Sequence, residues 1–184
     1  MLYLCSSSES RALLLNKFHI DFTQKPIFFD EDKILKSRAK DFVYYASKGK
    51  LEAAEKKYGL DVPLLCADTV ISASDGSILR KAKNIEDARR ILKIISGSKI
   101  SIISSLHFKT KKFLFTDISA TYYLFSKFDE KNLDQYLSSG EWQGKAGACM
   151  VEGFCKKYIK STKGYESTAM GLQVEKFLPW KRRI

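Results

Sequence analysis

Hydrophobic positions along this chain fall into recognisable runs. Residues 64 to 72, "LLCADTVIS", are almost continuously apolar, and Leu64, Leu65, Cys66, Ala67, Val70 and Ile71 predict a strand covered on both faces. The chain opens with "LYLC", a short apolar strand, followed by "SSSES" and the apolar helix "RALLLNKF". A stretch from Asp30 to Gly59, "DEDKILKSRAKDFVYYASKGKLEAAEKKYG", predicts one long helix with Ala39, Phe42, Val43 and Ala46 on one face and Gly59 as its stop. Lys50 follows Val43 and Ala46 at spacings of seven and four, so its stem lies near that buried stripe. "ASDGSIL" carries the Asp75-Gly76 hairpin signal. "NIEDARRILKIISG" is a helix capped by Asn84 and stopped by Gly97. Two strands follow, "ISIISSLHF" and "KFLFTDISATYYLF", then a helix from Asp129 to Gly140 and the glycine-rich "EWQGKAGACMVEGF", which reads as a loop. The order of elements predicts an α/β or α+β fold on a mixed sheet.

Composition changes this picture little. A chain of 184 residues with 45% apolar residues can bury one proper core. No apolar stretch approaches the roughly 20 residues of a membrane span, and the N-terminus lacks the basic start and cleavage site of a secretory signal, so the expectation is a cytoplasmic, membrane-free protein. The four cysteines, Cys5, Cys66, Cys149 and Cys155, show neither a close metal-ligand pair nor the density of a disulfide scaffold, and with only His19 and His107 a structural zinc site is not expected. Charge is more telling. Thirty-two basic against 21 acidic residues give a net charge of +11, which favours an anionic partner. Only 107 to 113, 155 to 165 and the tail 179 to 184 interleave bases with aromatics, a weak sign of nucleic acid, because strands alternate faces in any case.

The chemistry gathers at a few positions. Asp68 and Thr69 interrupt the apolar strand, and a carboxylate buried without a partner costs several kcal/mol or loses its charge, so Asp68 either caps an element or serves a site. The serines ahead of the first helix suit an N-cap and equally a phosphate cradle; taken alone, such a cluster is more often a cap. Taken alone, too, Asp68 is more often a satisfied structural carboxylate, Lys50 a snorkelling surface lysine, and Asp30 with Glu31 an acidic first helical turn.

Five collinear blocks weigh against those plainer readings. "CSSSESRALLL" keeps Ser6, Ser8, Arg11, Leu14 and Leu15 of an Ala-Ser-x-Ser-Pro-Arg-Arg-x-x-Leu-Leu opening. "FFDED" supplies Asp30 and Glu31 of an acidic block, with Lys50 on the helix that follows. "CADTVI" matches Gly-Ala-Asp-Thr-Val-Val. "ILRKAKNIEDARRILKIISG" matches Leu-Gly-Lys-Pro and a helix ending in Leu-Ser-Gly, which puts Lys81 on the lysine. "SSGEWQGKAGACMVEG" keeps Gly140, Glu141, Lys145, Ala146, Gly147 and Gly153 of a Gly-Glu-x-x-Asp-Lys-Ala-Gly-x-x-x-x-Gln-Gly block. With "MGLQV" near the end, the match covers almost the whole chain, and in this it resembles the Maf family of nucleoside triphosphate pyrophosphatases, first linked with septum formation.

The resemblance implies a mixed twisted sheet flanked by helices, related to the inosine triphosphatase fold, with residues 1–184 forming one domain of two lobes around a central cleft. It implies hydrolysis of a nucleoside triphosphate, modified ones included, to the monophosphate and pyrophosphate, in nucleotide-pool sanitation and with a link to cell division arrest. Asp68, Lys81 and Lys50 would be catalytic, with Asp68 the proton acceptor. Ser6, Ser8, Arg11 and Lys145 would bind substrate. Glu31 and Asp68 would hold a Mg²⁺ or Mn²⁺ ion, which takes few carboxylates and keeps its waters. Homodimers occur among related folds, and the oligomeric state stays open.

Departures from the pattern bear on the substrate. Three positions separate the family's pyrimidine and 7-methylguanine branches, and here they are Ser10, Thr69 and Glu152, which match neither set. Thr69 points to pyrimidines. Glu152 points to the 7-methylguanine branch, since a carboxylate can accept from a guanine N1-H and amino group or pair with the positive charge of the methylated ring, and the expectation is a purine or a broad range of bases. Glu9, Arg80 and Gly144 replace a proline, a glycine and an aspartate of the pattern. The alternative expectation is a basic nucleotide- or nucleic-acid-binding protein, or a division regulator, without catalysis; a retained Asp68 opposes it, since pure phosphate binding gains nothing from a buried anion.

Overall fold

The structure, a computed structural model, describes residues 1–182; Arg183 and Ile184, the end of the basic tail, lie outside the described residues. Strand β1 (Leu2–Leu4) leads into helix α1 (Glu9–Lys17), whose N-cap is Ser8: its hydroxyl accepts from the Arg11 N–H, as the serine cluster predicts. Strand β2 (Phe22–Gln24) follows and was not foreseen, because three residues carry no periodicity.

The predicted helix from Asp30 begins only at Ala39, as α2 (Ala39–Tyr58), and ends at Gly59 with φ 66° as expected. Asp30 instead caps a short 3-10 turn, Glu31–Lys33. Ion pairs to residues distant in sequence hold that turn: Glu31 bonds Lys50 and Arg80, and Asp32 bonds Arg80. Leu35 is 93% exposed, while its neighbour Ile34 packs against the Ala39, Phe42, Val43 and Ala46 cluster.

Strand β3 (Leu64–Ser72) is buried along nearly its whole length and turns through Gly76 into β4 (Ile78–Leu79). Helix α3 (Ile85–Ile95) is capped by Asn84, and its buried stripe of Ala88, Ile91, Leu92 and Ile95 repeats at helical spacing. Each such fully buried Leu or Ile contributes about 1.5–3 kcal/mol. Strands β5 (Lys99–Lys109) and β6 (Leu114–Phe125) pair over their lengths, and α4 (Glu130–Ser139) runs from its Asp129 cap to Gly140 at φ 76°. Then come the irregular residues 140–153, strand β7 (Ile159–Lys163), α5 (Glu166–Ala169) and α6 (Val174–Lys181).

The sheet is mixed, as the element order predicts, with strand order β2-β1-β3-β5-β6-β7 and β4 attached to β3. Strands β2, β1 and β3 are parallel and the rest antiparallel. One apolar cluster gathers α3, α4 and the 148–158 segment; another gathers β1, α1 and α6; α2 covers Cys66 and Val70 on the opposite face of the sheet. On β6, Leu114, Ile118 and Tyr122 stay exposed at spacings of four, a stripe on one face of the strand.

One edge of β3 is interrupted. β1 pairs with it only as far as Leu65, and β4 joins only at Ile71, while β5 pairs with the other edge throughout. Between Leu65 and Ile71 the sheet therefore opens, and Asp68 and Thr69 lie in the middle of the gap. Successive strand residues point to opposite faces. Asp68 accordingly faces α2 and Thr69 faces α1, one on each side of the opening.

Candidate active site

A cleft of about 280 Å³ lies at this opening, and Ser6, Ser8, Ser10, Arg11, Glu31, Lys50, Asp68, Thr69, Lys81, Lys145 and Glu152 all line it. The eleven residues that the resemblance assigns to catalysis, substrate, specificity and metal are thus brought to one place, while Asp30, Glu9 and Arg80 do not line it. Within the cleft they form three groups.

The first group is acidic with a cation at its centre. Lys50 Nζ donates to Asp68 Oδ1 at 2.5 Å and to Glu31 Oε1 at 2.7 Å. The long α2 supplies Lys50 from its buried stripe, β3 supplies Asp68, and the 3-10 turn supplies Glu31. Asp68 Oδ2 is buried without a hydrogen-bond partner among the described residues. Burial pushes the Asp68 carboxyl above the usual aspartate range, against the pull of Lys50; Glu31 adds a further upward push. Burial also raises Glu31, but Lys50 and Arg80 outweigh it and hold Glu31 below its ordinary value. Arg80, flagged in the sequence only as a departure, is therefore part of the site: it reaches Glu31 Oε2 at 3.2 Å and Asp32 Oδ1 at 2.7 Å and lies over the Phe42 ring.

Arg11 organises the second group. Its guanidinium is buried and donates to the Gly171 carbonyl at 2.8 Å, Ser6 Oγ at 2.8 Å and Thr69 Oγ1 at 3.1 Å. Three of its roughly five N–H groups are thereby engaged, and two remain for a ligand. Burial lowers its pKa, and Asp68 and Glu31 work in the opposite direction. Ser6 serves Arg11 and the Ser8 N–H, while Ser8 caps the helix, so the serine cluster is a cap that also faces the cleft. Gly171 sits against Arg11: a Cβ there would meet Arg11 Nε and Thr69 Oγ1, each at 3.2 Å, with φ at 104°. No sequence signal marks the carbonyl of a glycine as a partner for arginine.

Lys145 ties the third group together. Its Nζ donates to Ser10 Oγ at 2.7 Å and Glu152 Oε1 at 3.1 Å. Ser10 and Glu152 also meet at 3.4 Å. The resemblance assigned Lys145 to substrate and Ser10, Thr69 and Glu152 to specificity; in the structure Thr69 stands apart with Arg11 and Ser104, and Lys145 takes its place beside Ser10 and Glu152. Lys81 forms an isolated bridge with Ala146, which fastens the glycine-rich segment to the end of β4. Its ammonium pKa is lowered by loss of solvent and by the nearby Arg11 and Lys50 cations.

Among the described residues, no cluster of three or more His, Cys, Asp or Glu side chains is arranged to hold a metal. No helix among them is long and apolar enough to cross a membrane. The cysteines gave no pairing in the sequence, yet Cys149 and Cys155 touch at 3.3 Å.

The site geometry coincides with similarity to known proteins. A family model described as Maf-like protein matches residues 1–182. The nucleoside triphosphate pyrophosphatase of Nitratiruptor sp. is 54% identical over 178 residues, covering 96% of each chain. That of Helicobacter pylori strain J99 is 37% identical over 177 residues, covering 96% of this chain and 93% of its own. That of Campylobacter jejuni subsp. doylei is 37% identical over 182 residues, covering 95% and 97%. With its fold, its five sequence blocks and a family match over residues 1–182, this chain belongs to the Maf family.

Proposed function

We propose that this protein is a nucleoside triphosphate pyrophosphatase that hydrolyses the bond between the α and β phosphates, with residues 1–184 working as one unit of two lobes around the cleft. The observation that carries this reading is Asp68: a buried carboxylate with one unpartnered oxygen, set in the gap of the sheet and facing a cleft lined by four cations, Arg11, Lys50, Lys81 and Lys145. A plain phosphate-binding surface would exclude such an anion. A hydrolase needs it to take a proton from water.

In this reading the triphosphate lies over the β1–α1 turn. The free N–H groups of Arg11, the Lys81 ammonium and the serine hydroxyls take phosphate oxygens. Asp68 Oδ2 accepts the proton of the attacking water, and the cations stabilise the charge that grows on the departing pyrophosphate. Lys50 holds Asp68 and Glu31 in position; its ammonium keeps two carboxylates together that would otherwise repel.

The donor set also fits a divalent cation. Two carboxylates, one with an unshared buried oxygen, together with phosphate oxygens and water, are what Mg²⁺ or Mn²⁺ normally takes. Asp68 and Glu31 would hold it, and it would polarise phosphate oxygens and acidify bound water. Within the protein, Lys50 donates to one oxygen of each of those carboxylates, so a bound ion would share them with Lys50.

For the base, Glu152 carries the choice. Ser10 and Lys145 engage Oε1, leaving Oε2 to accept from a guanine N1–H and amino group. Because Lys145 already balances the carboxylate, a positively charged methylated ring gains little, and unmodified guanine or a broad purine range is the better fit. Partners beyond the substrate, including a second copy of the chain, and the cytoplasmic location stay as the sequence suggests them.

The test is pyrophosphate release from dTTP, UTP, CTP, GTP, 7-methyl-GTP and ITP with Mg²⁺ or Mn²⁺, with a chelator control, on wild type and Asp68→Asn. Release that is lost in the variant and with chelator supports the enzyme. No release from folded protein with any base or metal sinks the reading.

A further inference from the structure

The 140–153 segment carries Lys145 and Glu152 to the cleft, and Cys149 lines the same cleft. Its sulfur is 3.3 Å from that of Cys155, which is fully buried behind it. Backbone bonds hold both ends: the Cys149 N–H donates to the Ala146 carbonyl at 3.1 Å, and the Cys155 N–H to the Met150 carbonyl at 3.0 Å. The two thiols thus bracket a short loop whose one charged side chain is Glu152. Two sulfurs in contact, one of them lining the cleft, are placed to join as a disulfide once an oxidant reaches them.

We propose that Cys149 and Cys155 form a peroxide-oxidised disulfide site that resets the Glu152 loop and thereby substrate binding. A small hydroperoxide enters through the cleft, and the Cys149 thiolate attacks its terminal oxygen. The O–O bond breaks, the alcohol or water leaves, and Cys149 becomes a sulfenic acid. The Cys155 sulfur then attacks the Cys149 sulfur and displaces hydroxide, which leaves as water with the Cys155 proton. Overall two thiols and one hydroperoxide give one disulfide, one water and one alcohol; the sulfurs are oxidised by two electrons and the peroxide is reduced by two. Bonding brings the sulfurs to roughly 2 Å, closer than their present contact, so the loop between them must shift. Glu152 then moves relative to Ser10 and Lys145. Asp68, Lys50 and Glu31 sit on other elements and keep their arrangement, so the change falls on KM rather than on kcat.

The hydrogen bond to Cys155 and, after it, burial push the Cys149 thiol up, which makes its thiolate scarce at neutral pH. Oxidation is therefore slow near neutrality and faster in mildly alkaline buffer.

The experiment treats the reduced, full-length protein with hydrogen peroxide and reads intact mass, alkylatable thiols after denaturation and the linked peptide. The mass readout does not depend on the pyrophosphatase reading; kinetics on the same samples do. The expected result is loss of two of the four thiols, a peptide linking 149 to 155, and a KM about tenfold higher, the worth of one charged hydrogen bond lost, reversed by dithiothreitol. Cys155→Ala, checked for folding, keeps basal hydrolysis and does not respond. All four thiols surviving in folded protein, linkage at Cys5 and Cys66 instead, over-oxidation without linkage, or a 149–155 linkage that leaves KM unchanged would each overturn it.

Discussion

Lys50 Nζ lies 2.5 Å from Asp68 Oδ1, while the other oxygen of the same carboxylate has no hydrogen-bond partner among the described residues. The lysine therefore holds Asp68 by one oxygen and leaves the second for chemistry. A buried ion pair is weak evidence for stability in itself, because desolvation offsets much of the attraction. Its value here lies in orientation.

Replacing Asp68 with Asn keeps the shape and removes the proton acceptor. We expect kcat to fall by about 10²–10⁴ with little change in KM, measured by pyrophosphate release. In wild type, the carboxyl is raised by burial, and only the ionised form accepts a proton. Activity is thus lost as pH falls, and the acid limb of kcat/KM lies above the ordinary aspartate value of about 3.9.

Lys50→Met leaves Asp68 and Glu31 without the shared cation. Two neighbouring carboxylates then raise each other's pKa. The predicted outcome is a further upward displacement of the acid limb, accompanied by a kcat loss of about tenfold or more. An unchanged limb in the variant would show that Lys50 does not govern the pair.

Arg80 shares Glu31 with Lys50 and is itself 42% exposed on its side chain. Removing it as Arg80→Gly takes a competing cation off a metal-binding carboxylate. The half-saturating Mg²⁺ concentration should drop by a few-fold, in line with the ~0.5 kcal/mol of a half-exposed ion pair. Metal titration of hydrolysis reads this directly.

Glu152→Gln replaces an acceptor-only group with one that can also donate. Purine turnover should weaken relative to UTP and dTTP, with the kcat/KM ratio shifting about tenfold, because a mismatched buried donor or acceptor is worth roughly 1–3 kcal/mol. Equal losses for all bases would place Glu152 away from base recognition.

His107 is buried on β5, its Nδ1 has no hydrogen-bond partner among the described residues, and burial lowers its pKa from 6.5 to about 4, with Lys48 contributing. The native state thus holds it neutral while the unfolded chain protonates. Stability is therefore full above about pH 6.5 and declines as pH falls toward about 4, by up to about 3 kcal/mol. Urea midpoints measured across that range should lose this slope in His107→Phe.

Much of this architecture was legible because it depends on local physics. The N-caps Ser8, Asn84 and Asp129, the stops Gly59 and Gly140, and the buried β3 run all follow from groups within a few residues of one another. The five blocks brought Ser6, Arg11, Lys50, Asp68 and Lys81 forward by their order. What local signals missed was set at long range. The helix predicted from Asp30 yields to a 3-10 turn because Lys50 and Arg80 bind Glu31 and Asp32 across the cleft.

The sequence by itself determined β1, α1, β3, α3 and α4 and that a carboxylate would sit within an apolar strand, since hydrophobic period and capping are written into neighbouring residues. Only the tertiary structure decided why that carboxylate is tolerated. β1 and β4 leave a gap along β3, and Asp68, Glu31 and Lys50 meet there from three elements. It likewise moved Lys145 onto Ser10 and Glu152 and brought Cys149 against Cys155. Such contacts are fixed by how helices and strands pack, and no spacing along a chain encodes them.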